Sequence, residues 1–487
     1  MTSKKIKTKD ILGSNYYVYE LSSSNYNPYI NGSITITCTC KTVYGDAVSS
    51  KQLELYWNNE SYDTSYTNSN GVATFIVEPL SYEGVQKFTI GNDSIFVAVT
   101  DESIDEIIIE YTGDDFTTMY YPFDSSAYND VYIDWGDGTK ETVNGGNENI
   151  SHTYDESDDY TIRIRGMHYI QNGGFREING LTSIILPKSI QNLNSQIFSS
   201  CYDLESAFIF SNITSLPNLC FEDCESLTSI SLPSTVTSLG ESCFAGTGLT
   251  DIILPNSVTS LGDYCFQGVP LSNIIFSNRL TTIGDDCFTG VSGNIVLPPS
   301  VTSIGDECFG GSDLESITIP YGVTSLPDDC FNNCTSLKEV NLPNTITSLG
   351  SYCFFLCSSL KEINLPNGLT TLGSNCFFRS GLVSVTIPST VTSIDSYCFA
   401  CVDNNNSRVL KKVVFEGSTP PSTIENDSFT NTNLTFYVPN GCVSTYTTSF
   451  ASILSYMNGY SFKESSLSIT ITYSDNTTET VNLLKKI

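Results

Sequence analysis

The stretch Leu227-Thr-Ser-Ile-Ser-Leu-Pro-Ser-Thr-Val-Thr-Ser-Leu-Gly-Glu-Ser-Cys-Phe244 decides how this chain folds, because it returns again and again downstream. Nine Cys-Phe dipeptides begin at Cys220, Cys243, Cys265, Cys287, Cys308, Cys330, Cys353, Cys376 and Cys398, with gaps of 23, 22, 22, 21, 22, 23, 23 and 22 residues. A second marker keeps step: Pro233, Pro255, Pro298, Pro320, Pro343, Pro366 and Pro388, each preceded by Leu or Ile. A fixed period of this length is the mark of a solenoid, in which each unit is one coil. A lone coil buries too few apolar side chains to offset the entropy of ordering its backbone, so neighbours must supply strand hydrogen bonds and a shared core. Degenerate units at both ends serve as caps: Ile197-Phe198 stands for Cys-Phe at the start, and Ser428-Phe429 comes late, 30 residues after Phe399.

The period and pattern match a leucine-rich repeat, whose coil is expected to hold one strand and one short helical or 3₁₀ segment. The units resemble the BspA-like leucine-rich repeat family, L-x-x-I-x-L-P-x-x-V-x-x-I-G-x-x-A-F, over roughly residues 176–440, with cysteine where that family carries Ala. Phe436-Tyr-Val-Pro439 to Tyr446 is similar to the family's closing strand. The resemblance implies cell-surface adhesion and binding.

In Leu-x-x-Ile-x-Leu the aliphatics point inward, so the residue before Ile and the one after it point out. The outward row supplies the candidate binding residues Asp251, Ile253, Asn273, Ile275, Asn294, Val296, Thr318, Asn341 and Asn364. Ile253, Ile275 and Val296 form an aliphatic contact patch if open, or simply suit a strand or lie under a neighbouring segment. Acids two residues before the cysteine (Glu241, Asp263, Asp285, Asp306, Asp328) are read as favouring the N-terminus of a short helical turn, the other reading being a cation-binding stripe. The cysteines are expected as a reduced, buried ladder, since parallel Cβ atoms at strand spacing sit too far apart for a disulfide. Cys220/Cys224, Cys330/Cys334 and Cys353/Cys357 have zinc-like spacing but recur within the repeat, so no metal and no cofactor are expected.

The first half has another texture. Ile34–Cys40, Leu53–Trp57, Val72–Val77 and Lys87–Ile90 alternate with a period of two between turn residues, which reads as a β-sandwich. Residues 30–100 resemble bacterial Ig-like domains of the invasin/intimin type, on Ile34–Cys40, Val43–Val48 and Thr67–Phe75. Cys38 and Cys40 share a strand face, so no disulfide joins them. Residues 101–172 carry Val131-Tyr-Ile-Asp-Trp-Gly-Asp-Gly-Thr139, His152-Thr-Tyr154 and Tyr160-Thr-Ile-Arg-Ile164, and resemble a PKD-type β-sandwich. There His152 is expected in a buried hydrogen-bonding role, with Asp134 and Asp137 forming the turn rather than holding calcium. Both modules read as spacers.

The fold class is therefore mainly β: two N-terminal β-sandwiches (Ig-like, PKD-like), a leucine-rich-repeat solenoid of about ten to twelve coils over 173–440, and a C-terminal β-hairpin. Residues 1–29 form a leading segment. Residues 441–487 hold a short helical cover over Tyr446–Phe462, then the hairpin Leu467–Tyr473 with Thr480–Leu484.

Charge narrows the function. Among 487 residues, 22 basic against 53 acidic give a net −31, which argues against nucleic acid and a polybasic membrane contact. Two histidines leave little for His-based catalysis, and no nucleophile–base pair or phosphate loop stands out, so no enzyme is expected. No segment approaches a membrane span, so membrane insertion is not expected. The N-terminus, Met1-Thr-Ser-Lys-Lys5 onward, has charge but no apolar run and does not read as a secretory signal. On that ground the leading expectation is a phage virion surface component (fibre or head decoration) made in the host cytoplasm, binding a host cell-surface protein or glycan beside other virion proteins. The alternatives are a cell-surface BspA-like adhesin and a purely structural virion assembly protein, and a homo-oligomer stays open.

Overall fold

In the computed structural model, residues 8–12, 15–23, 34–42, 50, 52–57, 60–70, 72–77, 84–90, 93–99, 105–118, 130–143, 149–401, 409–425, 427–429, 434–454, 460–464, 468–472 and 478–482 are described. The chain divides into two compact units, Met1–Thr237 with Gly246–Pro255, and Ser238–Ala245 with Asn256–Ile487. Strands are the main regular structure of both among the described residues, joined in the second unit by long turns. Among the described residues no helix is long and apolar enough to cross a membrane.

The first unit opens with strands β1 (Thr8–Leu12), β2 (Asn15–Ser23), β3 (Ile34–Thr42), β4 (Gln52–Trp57), β5 (Glu60–Tyr66), β6 (Val72–Val77), β7 (Gly84–Ile90) and β8 (Asp93–Val99). They form two antiparallel sheets, ordered β1-β2-β3-β6 and β5-β4-β7-β8, which approach each other at β5 with β6 and β2 with β8. The stretch set apart as residues 1–29 is thus not separate: β2 pairs with β3 along its length. The side chains of Cys38 and Cys40 lie outside the described residues.

Four more strands follow: β9 (Glu106–Thr117), β10 (Val131–Asp134), β11 (Lys140–Val143) and β12 (Ser151–Arg165). Alternation places Ile107, Ile109, Ile133, Ile162 and Ile164 in one core with Phe116, Trp135 and Tyr154. This sheet does not end where the repeats begin. The strand Leu181–Leu186 pairs antiparallel with β9, Ile184 opposite Ile109 and Ile185 opposite Ile108. Ser206–Ile209 and Ser229–Ser231 then add in parallel. A solenoid leaves unpaired backbone at its end, and β9 supplies the missing partner. The boundary expected near 172 is therefore bridged by hydrogen bonds.

Most coils hold two short strands and a turn. The first strand is the expected outward-facing one, as in Ser316–Thr318 and Glu339–Asn341. A proline ends it, and the proline carbonyl accepts the amide three residues on, as in Val323 N to Pro320 O and Ile346 N to Pro343 O. The second strand, absent from the expectation, is the Thr-Ser-Leu stretch, as in Ser348–Leu349 beside Thr371–Leu372. The helical or 3₁₀ segment expected after it is not formed. The residue before each cysteine adopts left-handed backbone instead, including Ser242, Tyr264, Asp286, Glu307, Asp329, Tyr352, Asn375 and Tyr397. Such residues avoid that region in isolation. Here it points their N–H at the neighbouring coil: Tyr264 donates to the Asp285 carbonyl and Tyr352 to the Ser374 carbonyl. Hydrogen bonds between coils win over those of a local helix.

Beneath these turns run the phenylalanines. Phe175, Phe198 and Phe221 stack in the first unit, and Phe244 through Phe399 to Phe429 in the second, with ring centroids 5.2–5.9 Å apart. All twelve are buried, so the two stacks mark three coils and nine. The second unit closes with parallel strands Ser384–Ile387, Lys412–Phe415, Leu434–Val438 and Tyr460–Glu464. The helices Val443–Ser449 and Ala451–Leu454 intervene, their Tyr446 and Phe450 buried against Phe415 and Phe436. The helical cover expected over Tyr446–Phe462 therefore stops short, and its last residues are a strand. The expected hairpin forms between Ser468–Thr472 and Thr478–Asn482.

Candidate binding faces

The outward strand row behaves differently in the two units. In the first, Ser183, Ile185, Ser206 and Phe208 are buried although they point away from the coil interior. Ile108 of β9 packs with Ile185 and Phe208 there. Asp251 corrects the expectation of an exposed flank: it is buried at 7% exposure, and Thr250 Oγ1 donates to its Oδ2 at 2.9 Å. Ile253 is half-buried. In the second unit the row opens. Asn273 is half-buried, and Ile275, Asn294, Val296, Thr318, Asn341 and Asn364 are exposed, Ile275 to 41% and Val296 to 81%. Thr318 and Asn341 lie side by side in register, their Oγ1 and Nδ2 3.4 Å apart. Val296 and Asn364 lie on coils that form no regular strand at this point.

The acids before the cysteines do not cap helical turns. Asp263 Oδ1 accepts the Asp285 amide at 2.9 Å, Asp285 Oδ1 the Asp306 amide at 2.8 Å, and Asp328 Oδ1 the Ser351 amide at 2.6 Å. Each carboxylate stitches its coil to the next. A second acid follows in three coils: Asp286, Glu307 and Asp329, in the left-handed position. Burial first, then the neighbouring carboxylates, push all three carboxyls above their ordinary values.

Farther along, the same edge turns aromatic. Tyr352 and Tyr397 replace acids in the left-handed position and are 39% and 43% exposed. Half-buried Phe355 and Phe378 stack at 5.6 Å, with Tyr352 set edgewise to Phe355 and Tyr397 to Phe378. The strand-row argument missed this patch. Its signal was the two residues after Cys-Phe, which read Ala-Gly, Gln-Gly, Thr-Gly and Gly-Gly at 245–246, 267–268, 289–290 and 310–311, but Phe-Leu at 355–356 and Phe-Arg at 378–379.

The cysteines face inward. Fifteen thiols are free among the described residues, and all but Cys442 are buried. In the zinc-spaced pairs the second thiol donates to a phenylalanine carbonyl of the preceding coil: Cys224 to Phe198, Cys334 to Phe309, Cys357 to Phe331. Among the described residues no group of His, Cys, Asp and Glu is arranged to hold a metal ion. In the β9–β12 module His152 Nε2 meets Asp137 Oδ2 at 2.7 Å, and the ring stacks on Trp135 at 4.7 Å. Asp137 Oδ1 accepts the Thr139 amide and hydroxyl, and these bonds hold its carboxyl down at about 2. Asp134 accepts the Gly136 amide and pairs with Lys140. Asp134 acts within the turn, and Asp137 both forms the turn and ties it to His152.

Comparison with known proteins bears on the repeats. The BspA type leucine rich repeat region matches in six copies, over residues 154–269, 260–355, 292–406 and 324–452. No curated protein matches the chain. Among solved structures, a leucine-rich repeat protein from Bacteroides ovatus is 20% identical, covering 68% of this chain and 75% of its own, with TM-score 0.40. A leucine rich cell surface protein from Faecalibacterium prausnitzii is 20% identical, covering 68% and 92%, TM-score 0.36. The pneumococcal vaccine antigen PcpA is 18% identical, covering 59% and 85%, TM-score 0.35.

Proposed function

The chain belongs to the BspA-type leucine-rich repeat family, and on that premise we propose that it is a non-enzymatic recognition protein displayed at a cell surface. The carrying observation is the open strand row of the second unit, where Ile275 and Val296 stand 41% and 81% exposed. In the first unit Ser183, Ile185, Ser206, Phe208 and Asp251 of the same row are buried and Ile253 is half-buried, so the row opens chiefly in the second unit. An aliphatic pair beside Thr318, Asn341 and Asn364 offers apolar contact with hydrogen-bonding neighbours, the composition of a specific contact face. The partner in this reading is a host surface protein or glycan. The Ig-like and PKD-like modules act as spacers. The virion placement expected above gains nothing from the family match, and the adhesin alternative replaces it.

The test is adhesion of the purified full chain to epithelial cells and to mucin-coated surfaces. Val296→Asp combined with Ile275→Asp should lower binding about tenfold, the loss expected when a contact core is breached, without changing the melting temperature. Binding equal to that of the parent chain would remove the strand row from recognition.

A further inference from the structure

From the turn edge of the second unit we infer that it docks a basic, amphipathic polypeptide segment, using a surface separate from the strand row. Three successive coils each present two adjacent carboxylates, Asp285/Asp286, Asp306/Glu307 and Asp328/Asp329, and their turns contain no Lys or Arg. Like charges one coil apart repel. The next coil sets Tyr352 in the same row, joined through Asp329 N to Ser351 O at 2.8 Å and Ser351 N to Asp328 Oδ1 at 2.6 Å. Tyr352, Phe355, Phe378 and Tyr397 then form an unbroken run of rings, the tyrosines exposed and the phenylalanines half-buried.

This patch departs from the repeat in what it presents at the surface. Leu356 and Arg379 hold left-handed backbone, φ 59° and 58°, at a turn position that Gly246, Gly268, Gly290 and Gly311 fill in four other coils and Glu177, Ser200, Asp223 and Asn333 in four more. The departure is in the side chains: Phe355 and Phe378 stand where other coils carry Arg, Ser, Glu, Ala, Gln, Thr, Gly or Asn.

Charge selects the occupant. An anionic ligand is repelled by the carboxylate pairs, a neutral glycan leaves them unused, and a second copy of a chain of net −31 brings two acidic rows together. A segment with cations at one end and apolar side chains at the other satisfies both halves of the edge. Arg379, whose guanidinium lies 5.6 Å over the Phe378 ring, sets the polarity: cations toward Asp285, apolar side chains toward Phe378.

The experiment measures binding of the full chain to two peptides of equal charge, oligolysine and a peptide that is lysine-rich in one half and leucine-rich in the other. The second should bind about tenfold more tightly, and added salt should weaken both. Phe355→Ala with Phe378→Gln, residues that other coils carry at this position, should abolish the difference and leave oligolysine unchanged. Tyr352→Ser with Tyr397→Ser, at exposed positions, provides the same reading should the first pair fail to fold. Asp286→Asn with Asp329→Asn should weaken both peptides. Equal binding of the two peptides overturns the proposal, as does unaltered binding by the aromatic variants. A neutral oligosaccharide captured through Phe355 and Phe378 would overturn it in favour of a glycan, and a dimer dissolved by the same variants in favour of a second copy. Ile275→Asp with Val296→Asp should leave peptide binding intact, which keeps this outcome separate from that of the strand row.

Discussion

Fourteen of the described cysteines sit in the interior of the coils, and at the scale of one side chain their chemistry follows from that position. Burial pushes the thiols of Cys201 and Cys401 up to about 12 and that of Cys334 to about 11. The thiolate is the reactive form, so these three are doubly shielded, by access and by protonation, and the other buried thiols are shielded by access. A thiol titration of the native chain at neutral pH should therefore detect Cys442, with Cys38 and Cys40 adding two at most, and all seventeen in guanidinium. Fast reaction of more than three thiols in the folded chain would refute the buried ladder. The inward ladder was readable from the Cys-Phe spacing alone. The hydrogen bonds of the second cysteines were not, because zinc sites use the same spacing.

A coil is held by columns, and the glycine column shows how little room separates neighbours. A Cβ placed on Gly284 would lie 2.6 Å from the backbone nitrogen of Asp263, and one on Gly262 2.6 Å from the carbonyl carbon of Gly240. Gly284→Ala should destabilise the second unit by about 1–3 kcal/mol, the usual range for overpacking, read by denaturant unfolding. A variant as stable as the parent would show that the coils can part without penalty. The carboxylate row belongs to this scale as well. Asp286, Glu307 and Asp329 have pKa values raised on folding, so in the window just above the ordinary carboxylate range the folded state binds more protons than the unfolded one. Stability then falls as pH rises through that window. Amide protection of the second unit should increase on going from pH 7 to pH 5, and less so in Asp286→Asn. A decrease over that interval would contradict the assignment. The left-handed turns behind this row could not be read beforehand, since Tyr, Asp and Glu rarely adopt such backbone and only the neighbouring coil makes it favourable.

Over the whole molecule, what repeats was legible and what is singular was not. The Phe, Pro and Gly columns announce a solenoid because each is stated many times. The pairing of Leu181–Leu186 with β9 is stated once, between segments some seventy residues apart, and no local pattern distinguishes Ile108 as a partner of Ile185. The aromatic patch hid for the opposite reason, because Phe355 and Phe378 stand next to phenylalanines that the repeat already requires. Burial of Ile185, Phe208 and Asp251 in the strand row of the first unit followed from neither periodicity nor composition.

The sheet shared between β9 and the first coil has a mechanical meaning. Tension between the stretch before residue 105 and the coils after Leu186 would meet β9 at Glu106 and the coil strand at Leu186, which lie at the same end of an antiparallel pair. Bonds loaded this way peel one after another instead of sharing the pull. At that corner the Glu106 carboxylate is clasped by the guanidinium groups of Arg163 and Arg165 of β12, which fastens β9 to β12 on its other side and leaves the pair with Leu181–Leu186 the one to open first.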